Sequence, residues 1–247
     1  MSGFRRAAAV LTAGAASTLL AGFAPPAGSA TPAGNGIEDE SARVIVDRAR
    51  AELAGARSVH MVAQVQDTTG STTLDLHLDV NGNCAGSVGL PKGGGSAQIV
   101  KRGQDIWVKP NTAFLKSQVP GPAGEDAAAL INDRWVHGNA ENALLRGLTQ
   151  VCDLTDFQRK YTAGPASENL TKGGRTTVDG KAAITVTGRD GADTTTYYVA
   201  TEGEPYLLRV TGVEDGQRGR ADFSDYDEPV PAKTPPPEES VDLSELR

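Results

Sequence analysis

The chain is poor in the residues that usually build a reactive site. Its 247 residues include three histidines, two cysteines, two methionines and two tryptophans, and aromatic residues amount to only 5%. With 38% hydrophobic residues this implies a lean core, of the kind found in Gly- and Thr-rich β proteins rather than in large enzymes. Basic residues are outnumbered, 24 Lys and Arg against 31 Asp and Glu, and the net charge of -7 excludes a basic stripe for nucleic acid. There is no G-x-S-x-G, no H-E-x-x-H and no G-x-G-x-x-G in a strand-to-helix setting. Among so many acidic residues, neighbouring carboxylates occur by chance and carry no weight as an acid/base pair. His60, His77 and His137 form no H-x-x-x-H, and the cysteines no C-x-x-C, so spacing indicates no metal site.

What is present begins with a targeting pattern. Arg5 and Arg6 precede an apolar, small-residue run over 7–24, and Gly28, Ser29 and Ala30 resemble a cleavage site. We expect residues 1–30 to be a signal peptide and the mature chain to start near Thr31. Leu20, Ala21 and Gly22 are followed by Phe23, where a bacterial lipobox has the cysteine that carries diacylglycerol. Export without a lipid anchor is therefore expected. In an oxidising compartment Cys84 and Cys152 are expected to form one disulfide.

Residues 31–38 read as a spacer and 39–232 as one domain. A helix is expected over 37–55, with Val44, Ile45, Ala49 and Leu53 on its apolar face. A hairpin follows, in which Val59, Met61, Ala63 and Val65 alternate with polar residues, as do Leu74, Leu76, Leu78 and Val80. Setting Val65 opposite Leu74 matches apolar residues throughout and gathers His60, His77, Asp75 and Asp79 on the other face, which we read as solvated. Further strands are expected at 84–88, 97–102 and 104–109, with Ile99, Ile106 and Val108 apolar. The Gly-rich stretch 91–96 lacks the rest of a phosphate loop and reads as a hairpin loop. Helices at 125–133, 141–148 and 155–161 interrupt the sheet around a short strand at Trp135. The sheet resumes over 175–188 and ends in a three-strand meander over 194–224. Residues 233–247 read as a Pro-rich acidic tail whose end, 241–246, forms a terminal helix. The fold class is α+β: a strongly curved antiparallel sheet of about ten strands with helices covering one face.

The order of the pieces resembles a known family. ARSVHMVAQV, then QIVKRGQDIWVKPN, Trp135, TTVDGKAAITVT and the final meander with Phe223, Ser224, Tyr226, Pro229 and Val230 resemble actinobacterial LppX/LprG-type lipoproteins. These belong to the wider LolA/LolB-like group of lipid and lipoprotein carriers. The resemblance spans about residues 40–232 and implies a half-barrel sheet and helical face enclosing a hydrophobic cavity for acyl chains. It implies binding without catalysis and without a cofactor. The candidate wall residues are Met61, Ala63, Val65, Leu74, Leu76, Leu78, Ile99, Ile106 and Val108. The expected partner is a lipid or acylated ligand, held by a monomer in the cell envelope or outside it. An alternative of the same fold is an exported sensor or interaction module that binds a membrane or envelope protein; a hydrolase would need one of the histidines beside a nucleophile in a deep polar pocket.

Overall fold

The computed structural model describes residues 34–142, 145–162 and 169–244. The expected signal segment with Phe23, and the first residues of the expected spacer, lie outside the described residues. Twelve strands form a single open, curved sheet: β1 (Ser58–Asp67), β2 (Gly70–Asp79), β3 (Cys84–Gly89), β4 (Ser96–Arg102), β5 (Asp105–Pro110), β6 (Trp135–Asn139), β7 (Asn169–Val178), β8 (Lys181–Asp190), β9 (Asp193–Ala200), β10 (Leu207–Glu214), β11 (Gln217–Ser224) and β12 (Ser240–Asp242). Their spatial order is β12-β6-β5-β4-β3-β2-β1-β11-β10-β9-β8-β7. Two runs of consecutive antiparallel strands thus meet at the pairing of β1 with β11. Among the described residues, five helices complete the α+β fold: α1 (Ala42–Gly55), α2 (Thr112–Gln118), α3 (Pro122–Ile131), α4 (Arg146–Gln150) and α5 (Leu154–Thr162).

The first helix starts later than its apolar pattern predicts. Residues Ile37–Asp39 make a 3-10 turn, and α1 begins after Ser41, whose side chain accepts from the Val44 N–H. That cap turns the helix so that Ile45, Val46, Ala49 and Leu53 are buried, with Val46 taking the place expected for Val44.

The β1–β2 hairpin pairs two residues out of the expected register. Met61 lies opposite Leu76, Ala63 opposite Leu74 and Val59 opposite Leu78, while Val65 faces Thr72. The turn is responsible. The Asp67 carboxylate accepts from both the N–H and the hydroxyl of Thr69, each at 2.6 Å, which closes a two-residue turn with Asp67 directly opposite Gly70. A slip of two residues leaves every side chain on its expected face, because the side-chain period in a strand is two.

One buried row crosses seven strands by direct pairing: Val136, Val108, Ile99, Gly86, Leu76, Met61 and Phe223. Gly86 interrupts it for a steric reason. Its φ is +153°, and a Cβ there would lie 1.9 Å from the Asp75 carbonyl oxygen. Farther along, a bulge between Leu207 and Arg209 changes the side-chain parity of β10. Leu207 and Val210 join the main core, while Leu208 packs with Val178, Ala183 and Ala200 in a small second cluster.

The C-terminal segment departs from the expected terminal helix over 241–246, of which residues 245 and 246 lie outside the described residues. Residues 240–242 form β12, which runs parallel to β6 and occupies one edge of the sheet. Two anchors favour an edge strand over a marginal helix. The Leu243 N–H donates to the His137 carbonyl, and the Asp242 carboxylate accepts from His137 Nδ1 at 2.8 Å.

Two outcomes test this arrangement. Gly86→Ala should destabilise the fold by about 1–3 kcal/mol, the order of cost of a strained backbone, read as a lower urea midpoint; an unchanged midpoint would contradict the close approach. The second concerns acid. Hydrogen bonds from Ser244, first through its hydroxyl and then its N–H, and one from His137 hold the Asp242 carboxyl down at about 2. A lowered carboxyl value contributes stability that is complete above about pH 4 and is lost as pH falls through 2. Trp107, stacked on His137 at 4.6 Å, and Trp135 in β6 both sit at this edge. Tryptophan fluorescence should therefore change between about pH 4 and 2, and Asp242→Asn should flatten that change; identical curves would refute it.

Candidate functional site

The inner face of the sheet collects the apolar residues. Met61, Ala63, Leu76, Leu78, Ile99, Ile106 and Val108 are buried in one core cluster, and Leu74 is partly buried against it. Val65 lies beyond the covered region and is 40% exposed, opposite Thr72 rather than an apolar partner. The cover comes from α1 and α5. Ile45, Val46, Ala49 and Leu53 enter from α1, and Leu154 and Phe157 from α5. Phe157, Tyr161 and Phe223 contact one another with ring centroids 4.8–5.7 Å apart. Burial pushes the Tyr161 hydroxyl above its ordinary value. Gln158, itself buried, fastens the two helices by donating to the Leu53 and Ala56 carbonyls at 2.9 and 2.8 Å. The inner face is thus filled by side chains in this state.

The remaining helices sit more shallowly. From α2 only Phe114 is buried, and α3 packs on α2, where Gly124 permits close contact with Val119. Gly124 is the one buried residue of α3, and α4 has none. Val119 and Leu130 are 39% and 53% exposed.

Cys84 and Cys152 form the expected disulfide, with Cα atoms 5.5 Å apart and both residues buried. It joins the start of β3 to the segment between α4 and α5. A recess of about 370 Å³ opens beside it, lined by Asp79, Lys101, Gln104, Thr149 and Asp153 among others. Lys101 is buried there and donates to the Gly82 carbonyl at 2.7 Å. Burial lowers its pKa, against the opposing pull of Asp153 and Asp79. A second recess of about 260 Å³ lies near Arg175 and Glu202. Neither is walled by the apolar row.

The outer face holds a cluster that the expected register concealed. With Val65 opposite Leu74, His60 would face Asp79; in the structure His60 faces His77. The two rings stack, 3.9 Å apart and 6° from parallel. His60 Nε2 lies 2.7 Å from Asp75 Oδ1, and His60 Nδ1 lies 3.1 Å from Ser224 Oγ and 3.5 Å from Asp225 Oδ2. Asp79 instead accepts from the N–H groups of Asn81 and Asn83 and from the Asn83 side chain. Burial first, and then the neighbouring His60, lower the pKa of His77. The two-residue turn at Thr68 and Thr69 was the sequence signal that would have revealed this pair.

No family model matches the chain, and no curated protein matches it. Solved structures do. LprF from Mycobacterium bovis is 17% identical, with 78% of this chain and 96% of that chain covered and a TM-score of 0.50. The lipoprotein LppX from Mycobacterium tuberculosis is 18% identical, with 78% and 98% covered and a TM-score of 0.48. A LolA superfamily protein from Nitrosomonas europaea is 13% identical, with 81% and 96% covered and a TM-score of 0.28. The resemblance seen in the sequence is therefore one of fold: the chain has the LprF-type fold.

The disulfide generates a prediction. Closing a loop across a separation of 68 residues contributes about 4 kcal/mol in the chain-entropy model. Cys152→Ser should speed hydrogen exchange in α4 and α5 well before β1–β3, and uniform acceleration across both would refute the separate anchoring of the helices.

Proposed function

We propose that this protein is a non-catalytic lipid-binding protein of the cell envelope, exported as a soluble monomer, that holds acyl chains against the inner face of its sheet. The observation that supports this reading is the apolar row from Val136 to Phe223, interrupted at Gly86, with Met61, Leu76, Ile99 and Val108 within it. Burying an alkyl chain is favourable by about 0.8 kcal/mol per methylene and needs apolar walls rather than reactive groups. In the filled state, the side chains of α1 and α5 occupy that space. Cargo therefore enters by displacing helical cover, and Gln158 is the polar clasp that resists the displacement.

A second reading, an exported module that binds an envelope protein, is favoured by the exposed Val119 and Leu130 at the α2–α3 hairpin. One set of measurements separates the two. Protein purified from its host should release lipid on organic extraction, and the stripped protein should take up a fluorescent fatty acid. Gln158→Ala removes two buried hydrogen bonds, costs about 1–3 kcal/mol of local stability, and should speed uptake several-fold. Absence of both co-purifying lipid and uptake, in wild type and variant alike, would overturn the lipid reading and leave the partner reading.

A further inference from the structure

The outer face carries two imidazoles and a carboxylate with the arrangement of a metal chelate. His60 and His77 are directly opposed on β1 and β2, and Asp225 follows the end of β11, the strand on the other side of β1. One ligand atom from each of the three lies within 4.8 Å of the others. Metal–ligand bonds of about 2.0–2.1 Å place tetrahedral ligand atoms roughly 3.4 Å apart. His60 Nδ1 and Asp225 Oδ2, at 3.5 Å, already meet that spacing. Because each lone pair lies in its ring plane and the two rings are 6° from parallel, His77 must rotate out of the stack to aim a nitrogen at the same centre. Neither histidine is fully buried and Asp225 is exposed, so the shift requires side-chain rotation only.

The surroundings supply the orientation that such a site needs. Asp75 accepts at 2.7 Å from His60 Nε2, which places the ring proton on Nε2 and leaves the Nδ1 lone pair directed toward Ser224 and Asp225. A carboxylate behind a histidine in this way fixes its tautomer and raises its basicity as a ligand. Asp225 adopts φ +50°, a left-handed conformation that Asp tolerates better than most residues.

We propose that His60 Nδ1, His77 and Asp225 bind one divalent transition-metal ion of the zinc class, with Asp75 as the positioning residue behind His60. Imidazole and carboxylate donors suit zinc, and the fourth position is open to water. The ion would bridge β2 to the end of β11 across β1, on the face away from the apolar row. This site is independent of the proposed lipid binding.

The test uses the full exported chain, produced without a polyhistidine tag and stripped with a chelator. Zinc chloride is titrated in competition with a chromophoric indicator. One ion per chain should bind with a dissociation constant on the order of micromolar or tighter. His60→Ala, His77→Gln and Asp225→Asn should each weaken binding about tenfold or more. Asp75→Asn should weaken it about tenfold while X-ray absorption still counts two imidazoles on the metal. His137→Ala should change nothing, although His137 also lies between two carboxylates, Asp105 and Asp242. Asp225 lies in an exposed turn, so its variant keeps the test valid even where a histidine variant folds poorly. Failure of zinc to bind at about 100 μM, or equal affinity in Asp225→Asn and in a folded His60→Ala/His77→Gln double variant, would overturn the proposal.

Discussion

Everything on the sheet depends on the side-chain parity of the β1–β2 hairpin. These two strands lie near the middle of twelve, and each hands its alternation to the next: Met61 to Phe223 on one side, and Leu76 to Gly86 and Ile99 on the other. A slip of a single residue would turn Met61 and Leu76 to solvent and bury His60 and His77 in apolar surroundings. The same alternation therefore creates both the apolar inner face and the polar outer cluster. The turn that secures it is small. Asp67 grips Thr69 through two hydrogen bonds, and those bonds, with that hydroxyl first, lower the pKa of the Asp67 carboxyl.

The inner face is a sheet surface closed by helices of unequal commitment. α1 and α5 are interlocked through Gln158, and the rings of Phe157 and Tyr161 pack α5 on Phe223 of β11. α3 and α4 contribute almost nothing to the core. Stability is unevenly distributed in such an arrangement, and elements with little buried apolar surface open at lower free energy than the core they cover. The disulfide compensates by fixing the segment between α4 and α5 to β3, which lets a poorly buried region remain registered on the sheet.

Much of this was legible in the sequence, for identifiable reasons. Alternation in 58–66 and 72–80 announces strands, Gly and Asp punctuation announces the meander, and two cysteines in a chain read as exported announce their bond. What escaped was set by contacts that alternation does not encode. Apolar matching cannot separate registers two residues apart, so the His60–His77 pair stayed hidden behind a pairing that served the apolar residues equally well. Ser41 rather than the acidic residues before it starts α1, because a cap acts on specific N–H groups and not through general charge. The bulge at Leu208 is invisible in a run of apolar residues that suits either face. The end of the chain reads as a polar tail, yet it finds an unpaired edge at β6 and hydrogen-bond partners in His137.

The meeting of β1 with β11 has a consequence for how the molecule is made. Apart from that seam, the short β12 and the disulfide, strands pair with chain neighbours, so each half of the sheet can condense from local contacts. The seam joins residues about 160 positions apart, His60 with Ser224 among them, and such distant pairing is slow to form. Until β11 is available, β1 presents a naked edge with Val59, Met61 and Ala63 uncovered, open to pairing with another nascent chain. The late meander thus acts as the molecule's own chaperone segment, and a chain cut short before Gln217 would assemble much of its sheet while leaving the β1 edge unpaired.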